Sequence, residues 1–267
     1  MSYNDIQTAL NAAIARFQFA DSEGNRFWAP YLRNDNYTEM GPKFPRGVGK
    51  THPDKIAEAV EYIKQTYPDI SGEQIRQKLI DGTLPEQSMN YRAIECSGFT
   101  YYVMDYVYRQ LFDKPLSDIL FVPRESVLNG ALNYVEWQQA HEITPEEAEN
   151  MSQDVPMTWV VETFKRQPAN LCNVKALVSD SSSDKISAEQ AQIGDLVHMS
   201  DKSDGMPHVA IVTKVSEDEV EVVHSGRVDG EDTGGVRFDT LKRAGETLDC
   251  TNVHSPHEFI AVRRLKS

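Results

Sequence analysis

The sequence predicts an α+β fold in which a cysteine-bearing helix packs on an antiparallel β-sheet. Three observations predict it. Apolar residues recur at helical spacing through the first third of the chain. From Ile193 onward the period changes from helical to alternating, the signature of half-buried strands. Between them, Cys96-Ser97-Gly98 opens an uninterrupted apolar run to Leu111, in which Phe99, Tyr102, Val103, Tyr106 and Val107 share one helical face. Helices first and strands afterwards define α+β.

Taken in order, Ile6, Leu10, Ala13, Ile14 and Phe17 make a helical stripe. Residues 21–52 lose periodicity and gather Asn, Gly and Pro, which reads as an ordered loop. His52-Pro53-Asp54 and Ser71-Gly72-Glu73 each introduce a further helix. After the Cys96 helix, Val127–Ala140 and Pro145–Met151 read as helices, and Met157–Phe164 is an apolar run of either type. The run Ser179–Asp184 has the composition of a flexible stretch. Strands are expected at Ile193–Met199, His208–Val215, Glu219–Ser225 and Glu258–Arg264, with glycine-rich loops before the last. The expected organisation is a mainly helical region over residues 1–90 and a second region over 91–267 that carries the Cys96 helix and the strands.

The chain has 267 residues, enough for a full core, and a net charge of -14. That charge excludes a nucleic-acid backbone or an anionic membrane as the main partner. No basic and apolar leader opens the sequence and no apolar run is long enough to span a bilayer. The three cysteines, Cys96, Cys172 and Cys250, are odd in number and lack metal-ligand spacing, which suits a reducing compartment. The expected location is cytoplasmic, or exported without a cleavable signal. His254 and His257 are the closest approach to a ligand pair, but Pro256 interrupts them and a third ligand is missing, so no metal or other cofactor is expected.

Cys96 at a helix start meets unpaired amides and the positive end of the helix dipole, which favour thiolate over thiol and can hold an oxyanion. The alternative is a small apolar residue packed beside a helix start. A nucleophilic cysteine needs a base, and the base needs a group to hold its ring. His208 begins a strand directly after the Gly205-Met206-Pro207 loop, and His224 lies on the next strand, where antiparallel pairing brings the two together. Each alone could be a satisfied core histidine. Together with Cys96 they form a candidate site.

These residues resemble the NlpC-type papain-like cysteine peptidases of bacterial cell-wall metabolism. The resemblance rests on Ile94-Glu95-Cys96-Ser97-Gly98-Phe99, Ile193-Gly194-Asp195-Leu196-Val197, His208-Val209-Ala210-Ile211-Val212 and Val222-Val223-His224-Ser225, with Phe259–Arg264 similar to the closing strand. It implies Cys96 as nucleophile, His208 as base and His224 as the orienting residue, with the Cys96 backbone amide as oxyanion donor. It also implies a peptide or muropeptide substrate, cleaved at an amide bond of the peptidoglycan stem. Three departures stand out. Glu95 replaces the usual aspartate, the tyrosine segment that precedes the family's cysteine has no counterpart, and Cys96 and His208 are unusually far apart in sequence. The resemblance therefore implies a papain-like catalytic domain over 91–267 with an insertion at about 112–190. A binding or inhibitory module that kept the fold without the chemistry, and a Cys-His acyltransferase or thioesterase, are the alternatives.

Overall fold

The computed structural model describes residues 3–32, 49–86, 89, 91–123, 154–164, 167–203, 205–227, 234–251, 253 and 256–266. The expected helices at Val127–Ala140 and Pro145–Met151, and His254, lie outside them. Helix α1 (Tyr3–Ala15) buries the stripe Leu10, Ala13 and Ile14. Two short strands, β1 (Gln18–Ala20) and β2 (Arg26–Trp28), form a small antiparallel ribbon. Helix α2 (Pro53–Thr66) starts at His52, whose ring accepts from the Asp54 N–H, with proline at its first position where the missing donor costs nothing. Helix α3 (Gly72–Ile80) starts at a reciprocal Ser71/Gln74 capping box.

Helix α4 (Cys96–Phe112) is the centre of the molecule. Its ring Phe99 meets Phe17 edge-on at 5.0 Å, and both belong to one core that also holds Leu10, Ile56, Val103 and Val209. The helical first third and the Cys96 helix therefore share a single core. The helix ends at Asp113, which takes a left-handed conformation with φ 55°.

Past α4, strands β3 (Phe121–Pro123) and β4 (Asp154–Pro156) pair with each other. The apolar run resolves as helix α5 (Met157–Phe164), followed by the short helices α6 (Pro168–Leu171) and α7 (Val174–Val178). The seven-stranded antiparallel sheet has the order β10-β9-β8-β7-β6-β11-β5. Its strands are β5 (Ser183–Ile186), β6 (Leu196–Asp201), β7 (Pro207–Val215), β8 (Glu219–Gly226), β9 (Gly235–Ala244), β10 (Thr247–Asp249) and β11 (His257–Leu265). Leu196, Val209, Ile211 and Val223 face the α4 core, while Val197, Ala210, Val212 and Val222 face a second core inside the curl of the sheet. Alternation along each strand thus assigns one residue to each core in turn.

Three expectations are corrected. The stretch Ser179–Asp184 is ordered: Ser182 and Ser183 are fully buried, Ser182 accepts from the Phe121 N–H, and Ser183 enters edge strand β5. Its hydroxyls satisfy backbone and side-chain partners, which composition alone cannot reveal. The region after Ser225 holds the ten-residue strand β9 in addition to loops, paired to β8 from Glu219↔Lys242 to Gly226↔Gly235. The strand expected from Ile193 begins at Leu196, because Gly194 turns with φ 89° and Asp195 closes that turn on the Gln192 N–H.

Candidate active site

The site forms where β7 and β8 part. Their pairing runs from Val215↔Val220 to Ile211↔Val223 and extends no further toward His208, whereas β8 stays paired to β9 as far as Gly226. The chain entering α4 sits at this gap. Ser225 donates its hydroxyl to the Ile94 carbonyl at 2.7 Å. From this start the Cys96 helix packs against both β7 and β8.

Glu95 is the N-cap of α4 and accepts from the Gly98 N–H at 3.3 Å. Its carboxylate also takes the Ser97 hydroxyl at 2.5 Å and forms an ion pair with Lys50. Lys50 is buried, contacts the Ser97 hydroxyl, and donates to the Cys172 carbonyl at 2.6 Å. The region expected as an insertion therefore meets Lys50 at the start of α4 through the Cys172 carbonyl. A bridge between Lys50 and Ile94 fixes the approach, and Gly49 and Gly98 permit it. A Cβ on Gly98 would stand 2.6 Å from the Gly49 carbonyl oxygen.

This surrounding changes the expected state of the thiol. Cys96 is only 5% exposed, and burial followed by the Glu95 charge pushes its pKa up to about 12. Lys50 and the Val209 and Ser97 amides act in the opposite direction and do not offset burial. Glu95 Oε2 lies 3.9 Å from the sulfur and receives the thiol hydrogen. The resting group is a thiol, not the thiolate that a helix start alone would favour. The Cys96 N–H has no protein partner among the described residues and is free to donate at the helix start.

His208 and His224 are brought together as their strand positions imply. Both are buried, and His208 Nε2 lies 2.9 Å from His224 Nδ1 with the rings perpendicular. The chain of contacts continues. His224 Nε2 lies 2.7 Å from Asp239 Oδ2 on β9, and Arg237 holds the other carboxylate oxygen at 3.3 Å. His257 on β11 brings its ring within 5.0 Å of the His208 ring. Burial depresses the His224 pKa against the raising effect of Asp239, which keeps this ring neutral near pH 7.

Sequence reasoning missed Lys50, Asp239 and the role of His257. Lys50 comes from a non-periodic loop and leaves no local signal. Asp239 had one: Val236, Phe238 and Thr240 alternate with Arg237, Asp239 and Leu241, a strand pattern next to a histidine-bearing strand. Among the described residues, no group of three or more His, Cys, Asp or Glu is arranged to hold a metal ion, and no helix is long and apolar enough to cross a membrane.

Comparison with known proteins adds no relative: no family model, no curated protein and no solved structure matches this chain.

Proposed function

We propose that the protein is a papain-like cysteine amide hydrolase acting on peptidoglycan stem peptides. The observation that supports the reading is that the Cys96 helix starts at the parting of β7 and β8 and packs on both, the strands that carry His208 and its Nε2 partner His224. Cys96 attacks the amide carbonyl, forming the S–C bond, as its thiol proton passes to His208. The oxyanion is held by the Cys96 N–H at the helix start. His208 returns the proton to the nitrogen as the C–N bond breaks, and the amine departs. Water then attacks the thioester, delivering a proton to His208, and the resulting carboxylate leaves as the thiol re-forms. A buried thiol with a high pKa suits deprotonation in step with attack better than a standing thiolate.

The substrate class rests on the motif resemblance. Incubation with a soluble muropeptide digest and mass analysis of products tests it. Cleavage beside D-glutamate by the wild type, none by Cys96→Ala, and casein left intact are the expected results. Absence of wild-type product across pH, or equal turnover by Cys96→Ala, overturns the reading.

A second reading has its own observation. Cys96 is nearly enclosed and its hydrogen is committed to Glu95, as in a binding module that keeps the fold without turnover. On that reading Cys96→Ala leaves every measurable property except thiol labelling unchanged.

A further inference from the structure

Asp239 lies across two strands from His208 and has no place in a three-residue site. Register explains how it reaches the site. On β8 and β9, Val222 pairs with Asp239 and His224 with Arg237, so Asp239 is the diagonal neighbour of His224. Asp239 and His224 also share the strand parity of Leu241 and Val222, which face the second core. The three side chains His208, His224 and Asp239 therefore run in a line along one face of β7, β8 and β9.

We infer that Asp239 is a positioning residue that fixes the tautomer of both imidazoles and so keeps the proton of His208 on Nε2, with a lone pair on its Nδ1. The argument is one of donors and acceptors. An ionised carboxylate can only accept, so the 2.7 Å contact requires the proton of His224 on Nε2. A neutral ring protonated there has a lone pair on Nδ1. The 2.9 Å contact then requires His208 to donate from Nε2, which leaves its Nδ1 unprotonated. The reverse order, with His208 accepting, would place its proton on Nδ1 and remove the base. An imidazolium at position 224 would have the same effect, since both of its nitrogens donate. Full burial of His224 opposes that charge, and so do Arg237 from β9 and His257 from β11, while Asp239 favours it.

The arrangement also has a directional consequence. When His208 gains a proton, its Nε2–H already points at the His224 lone pair, and Asp239 lies behind that ring. The charge that forms during attack meets a preset line of dipoles ending in a carboxylate. Arg237 holds the second oxygen of Asp239, so the carboxylate keeps its aim.

This inference rests on the reading of Cys96 and His208 as the reacting pair, but its primary test needs no substrate. Long-range nitrogen-proton spectra of the histidine-labelled wild-type protein at neutral pH report the tautomer of each ring. Both His208 and His224 are expected to be neutral and protonated at Nε2. Asp239→Leu, which removes the acceptor and offers none, is expected to shift His224 toward Nδ1 protonation and to unsettle His208 with it. A wild-type proton on Nδ1 of either ring overturns the inference, and this measurement decides the matter even where the variant does not fold. Unchanged ring spectra in a folded Asp239→Leu protein overturn it equally. On the hydrolase reading the variant should lose roughly 100-fold in kcat with KM unchanged, the size of a general-base contribution. Failure of muropeptide cleavage by the wild type would end the hydrolase reading while leaving the tautomers measurable.

Discussion

Ser225 donates its hydroxyl to the Ile94 carbonyl at 2.7 Å, and Ser225 follows His224 on β8. The chain entering the Cys96 helix, and with it the Cys96 sulfur, is thus tied to the strand that carries His224. Movement of β8 carries that ring and the helix start together.

The first expectation concerns the charge beneath that sulfur. Glu95 raises the Cys96 pKa and Lys50 lowers it. Glu95→Gln removes the raising charge and keeps the lowering one, so more thiolate exists at any fixed pH. Alkylation of Cys96 at neutral pH, with Cys172 and Cys250 replaced, should accelerate by about tenfold or more. An unchanged or slower rate would show that Glu95 does not control the thiol.

The second concerns the ion pair itself. The side chains of Lys50 and Glu95 are 3% and 14% exposed. Lys50→Met leaves a nearly buried carboxylate without its cation. A loss of about 3–5 kcal/mol is expected in urea unfolding, since breaking a buried pair costs more than the pair contributes. The double variant Lys50→Met, Glu95→Gln should recover part of that loss. A single-variant cost below about 1 kcal/mol would place the pair with exposed surface bridges.

The third is a pH dependence away from the site. His198 on β6 is partly buried, and burial followed by the Arg263 charge lowers its pKa to about 4. Its unfolded value is near 6.5. Between these values the unfolded chain binds the extra proton, so stability is full above about pH 6.5 and falls as pH drops toward 4. The full shift corresponds to about 3 kcal/mol, reduced to about 2 by solvent screening of a ring that is not fully buried. Urea midpoints measured from pH 7 to pH 4 should fall less steeply in His198→Gln than in the wild type. Parallel slopes would assign the acid sensitivity to other groups.

Legibility in the sequence followed the range of the physics. The Cys96 helix could be read because its apolar face repeats every turn, and β7 and β8 because a short Ser216-Glu217-Asp218 turn joins two alternating runs. Those two local signals place His208 beside His224. Strand β9 was harder, since Arg237, Asp239 and Lys242 dilute its apolar pattern and glycines precede it. Asp239 acquires its role only from register, a property of two strands together. Lys50 joins the site through a loop that crosses the start of α4, and its partners Glu95, Ser97 and Cys172 lie far along the chain. The serines of 179–183 misled because a polar composition reads as solvated, whereas here buried donors and acceptors take one another.

The parting of β7 from β8 divides the sheet into two panels at the site, β10-β9-β8 on one side and β7-β6-β11-β5 on the other. His208 rides on the second panel and His224 with Asp239 on the first. Their one shared bond therefore works as a clasp across a hinge line, while Ser225 on the first panel grips the start of the Cys96 helix. A twist between the panels would lengthen the clasp and shift that grip at once. The spacing of Cys96, His208 and His224 is accordingly a property of sheet curvature, and any partner that presses on either panel gains leverage over it.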